Sequence, residues 1–114
     1  MSAECWLARW GVYERGPMPP CSGRLIRAHL LPRQLLLRTL GPVEAVAAIE
    51  DPRSWVPACG GINGSSGHHG ALDVARTIRV PYEHLPAGLL ALADETGLHW
   101  WLVRTYPDMR SEAA

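Results

Sequence analysis

The sequence predicts an α+β fold in a single domain, 1–114, and three features carry that expectation. Length and apolar content come first: 114 residues with 47% hydrophobic side chains can build one modest core but not two. Short apolar runs, RLIRAHLL (24–31) and SWVPA (54–58), have strand length, and segments of helical spacing bounded by proline and glycine lie between and after them. A glycine-rich run, CGGINGSSG (59–67), then leads from the second strand into a short helical stretch.

Each element has a local reason. Residues 3–14 read as a helix with Ser2 as N-cap and Glu4 in the first turn, and Trp6, Trp10 and Tyr13 form an aromatic stripe at i, i+4 and i+7, read as core. GPMPPCSG breaks that helix. The strand RLIRAHLL is closed by Pro32, and two short helices follow at about 33–40 and 43–50, each with proline near its start. SWVPA is the second strand, with Pro57 near its edge. Residues 60–67 are loop, 68–76 a two-turn helix, and TIRVP a further strand. Pro86 opens a helix that Gly97 caps within a C-terminal helical segment, 86–106. The stretch LHWWLVRTY satisfies helical spacing and strand alternation almost equally.

Composition narrows the function classes. No apolar run approaches the roughly 20 residues of a membrane span, and MSAECWLARW lacks a signal-peptide pattern, so a soluble, intracellular and cytoplasmic protein is expected. Cys5, Cys21 and Cys59 form no C-x-x-C pair, and an odd count disfavours a disulfide framework. Net charge is zero, but Arg24, Arg27, Arg33 and Arg38 lie in a stretch without acids, and Arg76 and Arg79 follow two adjacent histidines. Basic charge therefore collects where a phosphate-binding surface would need it. All eleven basic residues are arginine and lysine is absent, a bias that fits a GC-rich coding sequence, so no single arginine signals phosphate recognition by itself.

Chemistry gathers around GHHGALD (67–73). His69 and Asp73 stand at i and i+4, so a helix puts imidazole and carboxylate on one face, a donor set suited to magnesium, manganese or zinc. His29, at the end of the first strand, has the ordinary pKa of a general base.

RAHLLP, SWVPAC and GHHGALDVARTIRVP together resemble the HNH endonuclease family, in particular the branch reading roughly AAHI-x-P, N-x-x-x-LC and HHR-x-FD-x-G-x-L-x-I. The resemblance spans about residues 21–81 and implies a ββα-metal finger core with additional packed helices. It implies metal-dependent hydrolysis of DNA phosphodiester bonds, with His29 as general base, His69 as helix metal ligand, Asp73 one turn later, and His68 as an alternative or supporting ligand. Arg27, Arg76 and Arg79 become phosphate contacts, and a homodimer would serve to cut both strands. Small proteins of this type are common in phages and actinobacterial mobile elements, which implies a phage-encoded protein acting in the host cell.

Three departures shape the alternatives. Ala28 stands where many members carry a metal ligand just before the base. Ser54 falls on the asparagine that braces the loop holding the base, with Asp51 and Arg53 as nearby substitutes. Where relatives often carry two C-x-x-C knuckles for a structural zinc, only Cys21 and Cys59 remain, with His68 as a possible companion; so incomplete a set reads as buried thiols rather than a zinc site. Ala28 and Ser54 favour the competing expectation of a non-catalytic nucleic-acid-binding or phage accessory protein that keeps the scaffold. A structural zinc module mediating protein contacts is the third reading. His84 and His99 are expected to be surface or packing residues, and Trp100 and Trp101 to close the core.

Overall fold

Pairing between distant segments decides where several elements stop. The computed structural model describes residues 4–61 and 63–108. Helix α1 covers only Trp6–Trp10, and Cys5 stands at its N-cap. The expected helix 3–14 is therefore too long, and Ser2 lies outside the described residues. Gly11 ends α1, after which Val12–Tyr13 (β1) pairs antiparallel with Ile78–Arg79 (β4), with Val12 opposite Arg79 and Tyr13 opposite Ile78. Trp6 and Trp10 keep their i, i+4 relation, but Tyr13 leaves the stripe because strand pairing overrides the helical pattern.

The second sheet is the centre of the molecule. Leu25–His29 (β2) pairs antiparallel with Trp55–Cys59 (β3), in a register from Leu25 opposite Cys59 to His29 opposite Trp55. Strand alternation sends Ala28, Val56 and Ala58 into the core and sets Arg27, His29 and Trp55 on the opposite face. Between the two strands run α2 (Arg33–Thr39) and α3 (Pro42–Glu50), the latter opened by its proline, and then a 3-10 turn, Pro52–Ser54. Helix α4 (Gly67–Asp73) follows β3 and packs on it, which makes strand, strand, helix the central order.

After β4 and a 3-10 turn at Tyr82–His84 come α5 (Ala87–Thr96) and α6 (His99–Thr105). Gly97 caps α5 with φ of 75°, a left-handed conformation that glycine adopts without a Cβ clash. The ambiguous LHWWLVRTY is a helix because Leu98 and Leu102 share the buried face, while Trp100 and Val103 point outward. The core joins Leu7, Leu30, Leu31, Leu36, Leu89 and Leu102, and the hydroxyl of Tyr106 donates to the Leu30 carbonyl at its edge. The α+β expectation therefore holds. No helix among the described residues is long and apolar enough to cross a membrane.

Candidate functional site

Four residues far apart in sequence converge beside the outer end of the central hairpin. Cys5 precedes α1, Cys21 lies in the loop before β2, Cys59 ends β3 and His68 sits in the first turn of α4. Their sulfur and nitrogen atoms all lie within 4.8 Å of one another. The Nδ1 of His68 is 3.1 Å from Cys59 Sγ, 3.3 Å from Cys5 Sγ and 3.7 Å from Cys21 Sγ. On the other side of the ring, Nε2 donates to the Pro19 carbonyl at 2.8 Å. A carbonyl only accepts, so Nε2 carries the proton and Nδ1 presents its lone pair to the three sulfurs. That is the tautomer a metal ligand needs, fixed by a backbone partner.

Local backbone geometry builds this centre. Gly67 has φ of 63°, and a Cβ there would lie 2.5 Å from the carbonyls of both Cys59 and Ser22, so only glycine lets α4 start this close to the strand end. The amides of His68 and Ser22 donate to Cys59 Sγ, and the amide of Cys59 donates to Cys5 Sγ. Burial raises the Cys59 thiol, yet the His68 and Ser22 amides, with the Cys5 and Cys21 thiols, outweigh it and hold its pKa below the ordinary value. The Cys21 thiol is pushed up to about 11, by burial of its sulfur and then by the charge of Cys5, although the residue lies at the surface. Ionising all three sulfurs would set like charges against one another, and a divalent cation at their centre would reverse that balance.

The cluster thus could hold a metal ion, and it revises the sequence reading of an incomplete set. Cys21, Cys59 and His68 are joined by Cys5, which the sequence reading left without a role. Fifty-four positions separate Cys5 from Cys59, so local spacing could not link them. Only the docking of α1 against β3 brings the sulfur in.

A second arrangement surrounds His29. Its ring is half-buried against Trp55, with ring centroids 5.5 Å apart, and Nε2 donates to the Ile49 carbonyl at 3.1 Å. Burial lowers the His29 pKa below its ordinary 6.5, with help from the nearby Arg33 and Arg27 charges. The imidazole is therefore neutral near pH 7, with its lone pair on Nδ1. Ser54 is fully buried, and its hydroxyl reaches the Asp51 carbonyl at 2.7 Å and the Ile49 carbonyl at 3.4 Å. Of the two substitutes the sequence offered, Asp51 caps the 3-10 turn by accepting from the Arg53 amide, and Arg53 bridges Asp51 to Glu95. The Ser54 hydroxyl ties the turn between α3 and β3 through the Asp51 carbonyl.

His69 and Asp73 stand at i and i+4 on α4, with Asp73 as its last residue. The His69 Nδ1 donates to the Gly64 carbonyl at 2.7 Å, which leaves Nε2 as its lone pair. Among the described residues, these two belong to no cluster of three or more metal-ligating side chains. His68, which the sequence offered either to them or to Cys21 and Cys59, turns to the cysteines. Arg27 stacks over Trp55 at 4.2 Å and pairs with Glu50 at 3.7 Å, while Arg79 pairs with Glu14 at 3.4 Å. Arg76 is exposed with φ of 56°. His84 packs on Trp10, and His99 bridges the Asp94 carboxylate and the Tyr82 hydroxyl at 2.7 Å each. No protein family, curated protein or solved structure matches the chain.

Proposed function

We propose that the chain is a zinc-stapled endonuclease of the HNH type that hydrolyses DNA phosphodiester bonds with His29 as general base. The observation that carries this reading is the state of His29: neutral by burial, tied at Nε2 to a backbone carbonyl, with Nδ1 left to take a proton from water. Ser54 donates its hydroxyl proton to the Asp51 carbonyl, close beside the Ile49 carbonyl that holds His29.

The cysteine-histidine cluster supports the scaffold half of the reading. A tetrahedral zinc with Zn–S of about 2.3 Å and Zn–N of about 2.0 Å spaces nitrogen and sulfur about 3.5 Å apart. The three Nδ1–Sγ distances of 3.1, 3.3 and 3.7 Å bracket that value. Cys21 and Cys59 flank the two strands where relatives carry their zinc knuckles, with His68 and Cys5 completing the set. Zinc held there would be structural, since all four positions are filled by protein.

His69 and Asp73 would hold the catalytic cation, magnesium, manganese or zinc, which when bound polarises the scissile phosphate. The remaining work falls to the chain. His29 removes a proton from the attacking water, and Arg76 offers a guanidinium to the DNA backbone. Arg27 and Arg79 exchange exposed carboxylate partners for phosphates, an exchange of low cost because surface ion pairs contribute little.

A second reading, a non-catalytic nucleic-acid-binding or phage accessory protein on the same scaffold, is favoured by one observation. Ala28 is 1% exposed and packed in the core, so the strand supplies no third ligand beside His69 and Asp73. Plasmid cleavage with magnesium, manganese or nickel, and with EDTA, decides between the two. Hydrolysis is expected with wild type and not with His29→Ala, which should still bind DNA. Wild-type protein that binds DNA but cuts nothing with any of these metals establishes the second reading.

A further inference from the structure

The groove between α2 and α6 lies apart from both arrangements described above. Its volume is about 490 Å³, and its walls include Leu35, Arg38, Thr39, Trp100, Trp101 and Arg104. Trp101 is anchored, edge-on to Tyr106 at 5.8 Å, whereas Trp100 is 53% exposed. Helical rotation explains the difference: Leu102 takes the core, and the neighbouring indole at position 100 turns outward. An exposed indole beside a groove is costly to hydrate and is commonly a recognition element.

Charge identifies what the groove recognises. Arg38 and Arg104 lie in the last turns of α2 and α6, and both line this groove. Arg27, Arg53 and Arg79 are each paired with carboxylates, but no ion pair among the described residues engages Arg38 or Arg104. None of the groove-lining residues is acidic. Two available guanidiniums thus flank an open aromatic face. Guanidinium forks match phosphate oxygens, and an indole face stacks on any nucleobase.

We infer that this groove binds single-stranded nucleic acid, with a base stacked on Trp100 and phosphates held by Arg38 and Arg104. Duplex DNA cannot use the site fully, because its bases are already stacked and their faces covered. An acidic helix would satisfy the arginines, but it needs a row of apolar pockets at i, i+4 and i+7, and this floor offers Leu35 and two indoles. The inference does not depend on hydrolysis at His29. A displaced or unpaired strand could be held here whether or not the protein cuts.

The test is fluorescence anisotropy of a labelled deoxythymidine strand with the full chain, in magnesium-free buffer across a salt series. Duplex DNA, adenosine monophosphate and polyglutamate serve as competitors. Arg38→Gln and Arg104→Gln should each weaken strand binding and reduce the salt slope by about 0.7. Trp100→Ala, at an exposed position, should weaken binding by about 5- to 150-fold. Plasmid cleavage by the groove variants reports separately on the hydrolytic site. Absence of strand binding, or binding indifferent to all three groove substitutions, would overturn the inference. Displacement by polyglutamate but not by unlabelled strand would make an acidic protein the partner, and equal affinity for the mononucleotide would make a free nucleotide the ligand. Either result also overturns it.

Discussion

The imidazole of His29 and the hydroxyl of Ser54 converge on one backbone oxygen, the carbonyl of Ile49. Nε2 of His29 donates to it at 3.1 Å and Oγ of Ser54 approaches it at 3.4 Å, with a shorter bond to the Asp51 carbonyl at 2.7 Å. The end of α3 therefore lies between the residue just before β3 and the residue that ends β2. Orientation of the proposed base depends on a carbonyl in the last turn of α3, and the turn that follows is tied by a buried serine.

Removing that hydroxyl should affect stability and catalysis together. Ser54→Ala removes the side-chain donor to the Asp51 carbonyl, which keeps only the Ser54 amide, a loss of about 0.5–1.5 kcal/mol. Ser54→Asn should also destabilise the protein, because the site is fully buried and has to accept extra volume. Urea denaturation measures both changes. In the nuclease reading, Ser54→Ala also slows cleavage while DNA affinity stays near wild type, since phosphate contacts lie elsewhere.

Acidification should reveal His29. Burial lowers its folded pKa below the ordinary 6.5. The unfolded chain then binds a proton that the folded chain refuses, so the stability tied to the neutral ring is complete above about pH 6.5. It is lost as pH falls from there through the folded pKa. His29→Gln should remove this part of the pH dependence of stability, measured by thermal melts in a buffer series. The Asp51 and Glu95 carboxyls are both held low by Arg53, so their contributions are lost only at more acidic pH, below their ordinary values of 3.8 and 4.5. Cleavage, if it follows His29, should keep its full rate down to pH values below 6.5.

Position 28 gives the opposite result from the one the motif implies. Ala28 is 1% exposed and sits on the core side of β2, beside Val56 across the hairpin. Ala28→Asp should therefore cost several kcal/mol by burying a carboxylate, rather than tighten metal binding. Denaturation and metal titration calorimetry on this variant check both halves of the statement.

Much of the fold was legible because its punctuation is local. Pro42 at the start of α3, Gly97 after α5 and the apolar runs of β2 and β3 each act within a few residues. The misreadings were non-local. Tyr13 left its helix for a strand whose partner, Ile78, lies far along the chain. Cys5 entered the candidate metal cluster only through the packing of α1 on β3. His68, which the sequence offered either to His69 or to Cys21 and Cys59, meets the cysteines because adjacent helix positions face different neighbours. Ser54 was marked by alignment with a motif, but the carbonyls it reaches are visible only in the folded loop.

Arg76 separates stability from binding. Its φ of 56° places a non-glycine residue in the left-handed region just beyond α4, where the Thr77 amide donates back to the Ala71 carbonyl. Arg76→Gly relieves that strain and should stabilise the fold by about 1 kcal/mol. The same change removes a proposed phosphate contact, so DNA affinity should fall and its salt dependence should flatten. A rise in melting temperature without any loss of DNA affinity would remove Arg76 from the binding surface.

Metal removal tests the cluster that joins the ends of the central motif. Purified protein should contain about one zinc ion per chain, by elemental analysis, because the cluster supplies a complete tetrahedral set. Chelation should release it and abolish the cooperative melting transition, since binding energy at such a site is folding energy. Cys5→Ser and Cys59→Ser should each lose the metal and most of the stability, because both thiols are buried and receive or support the amide–sulfur bonds. Cys21→Ser should be milder, since that residue lies at the surface and water can take the vacated position. His68→Gln removes the Nδ1 lone pair as well as the bond to Pro19 and should resemble Cys59→Ser. Retention of full zinc by Cys5→Ser would mean that α1 merely packs against the site, and the fourth ligand would have to be sought elsewhere.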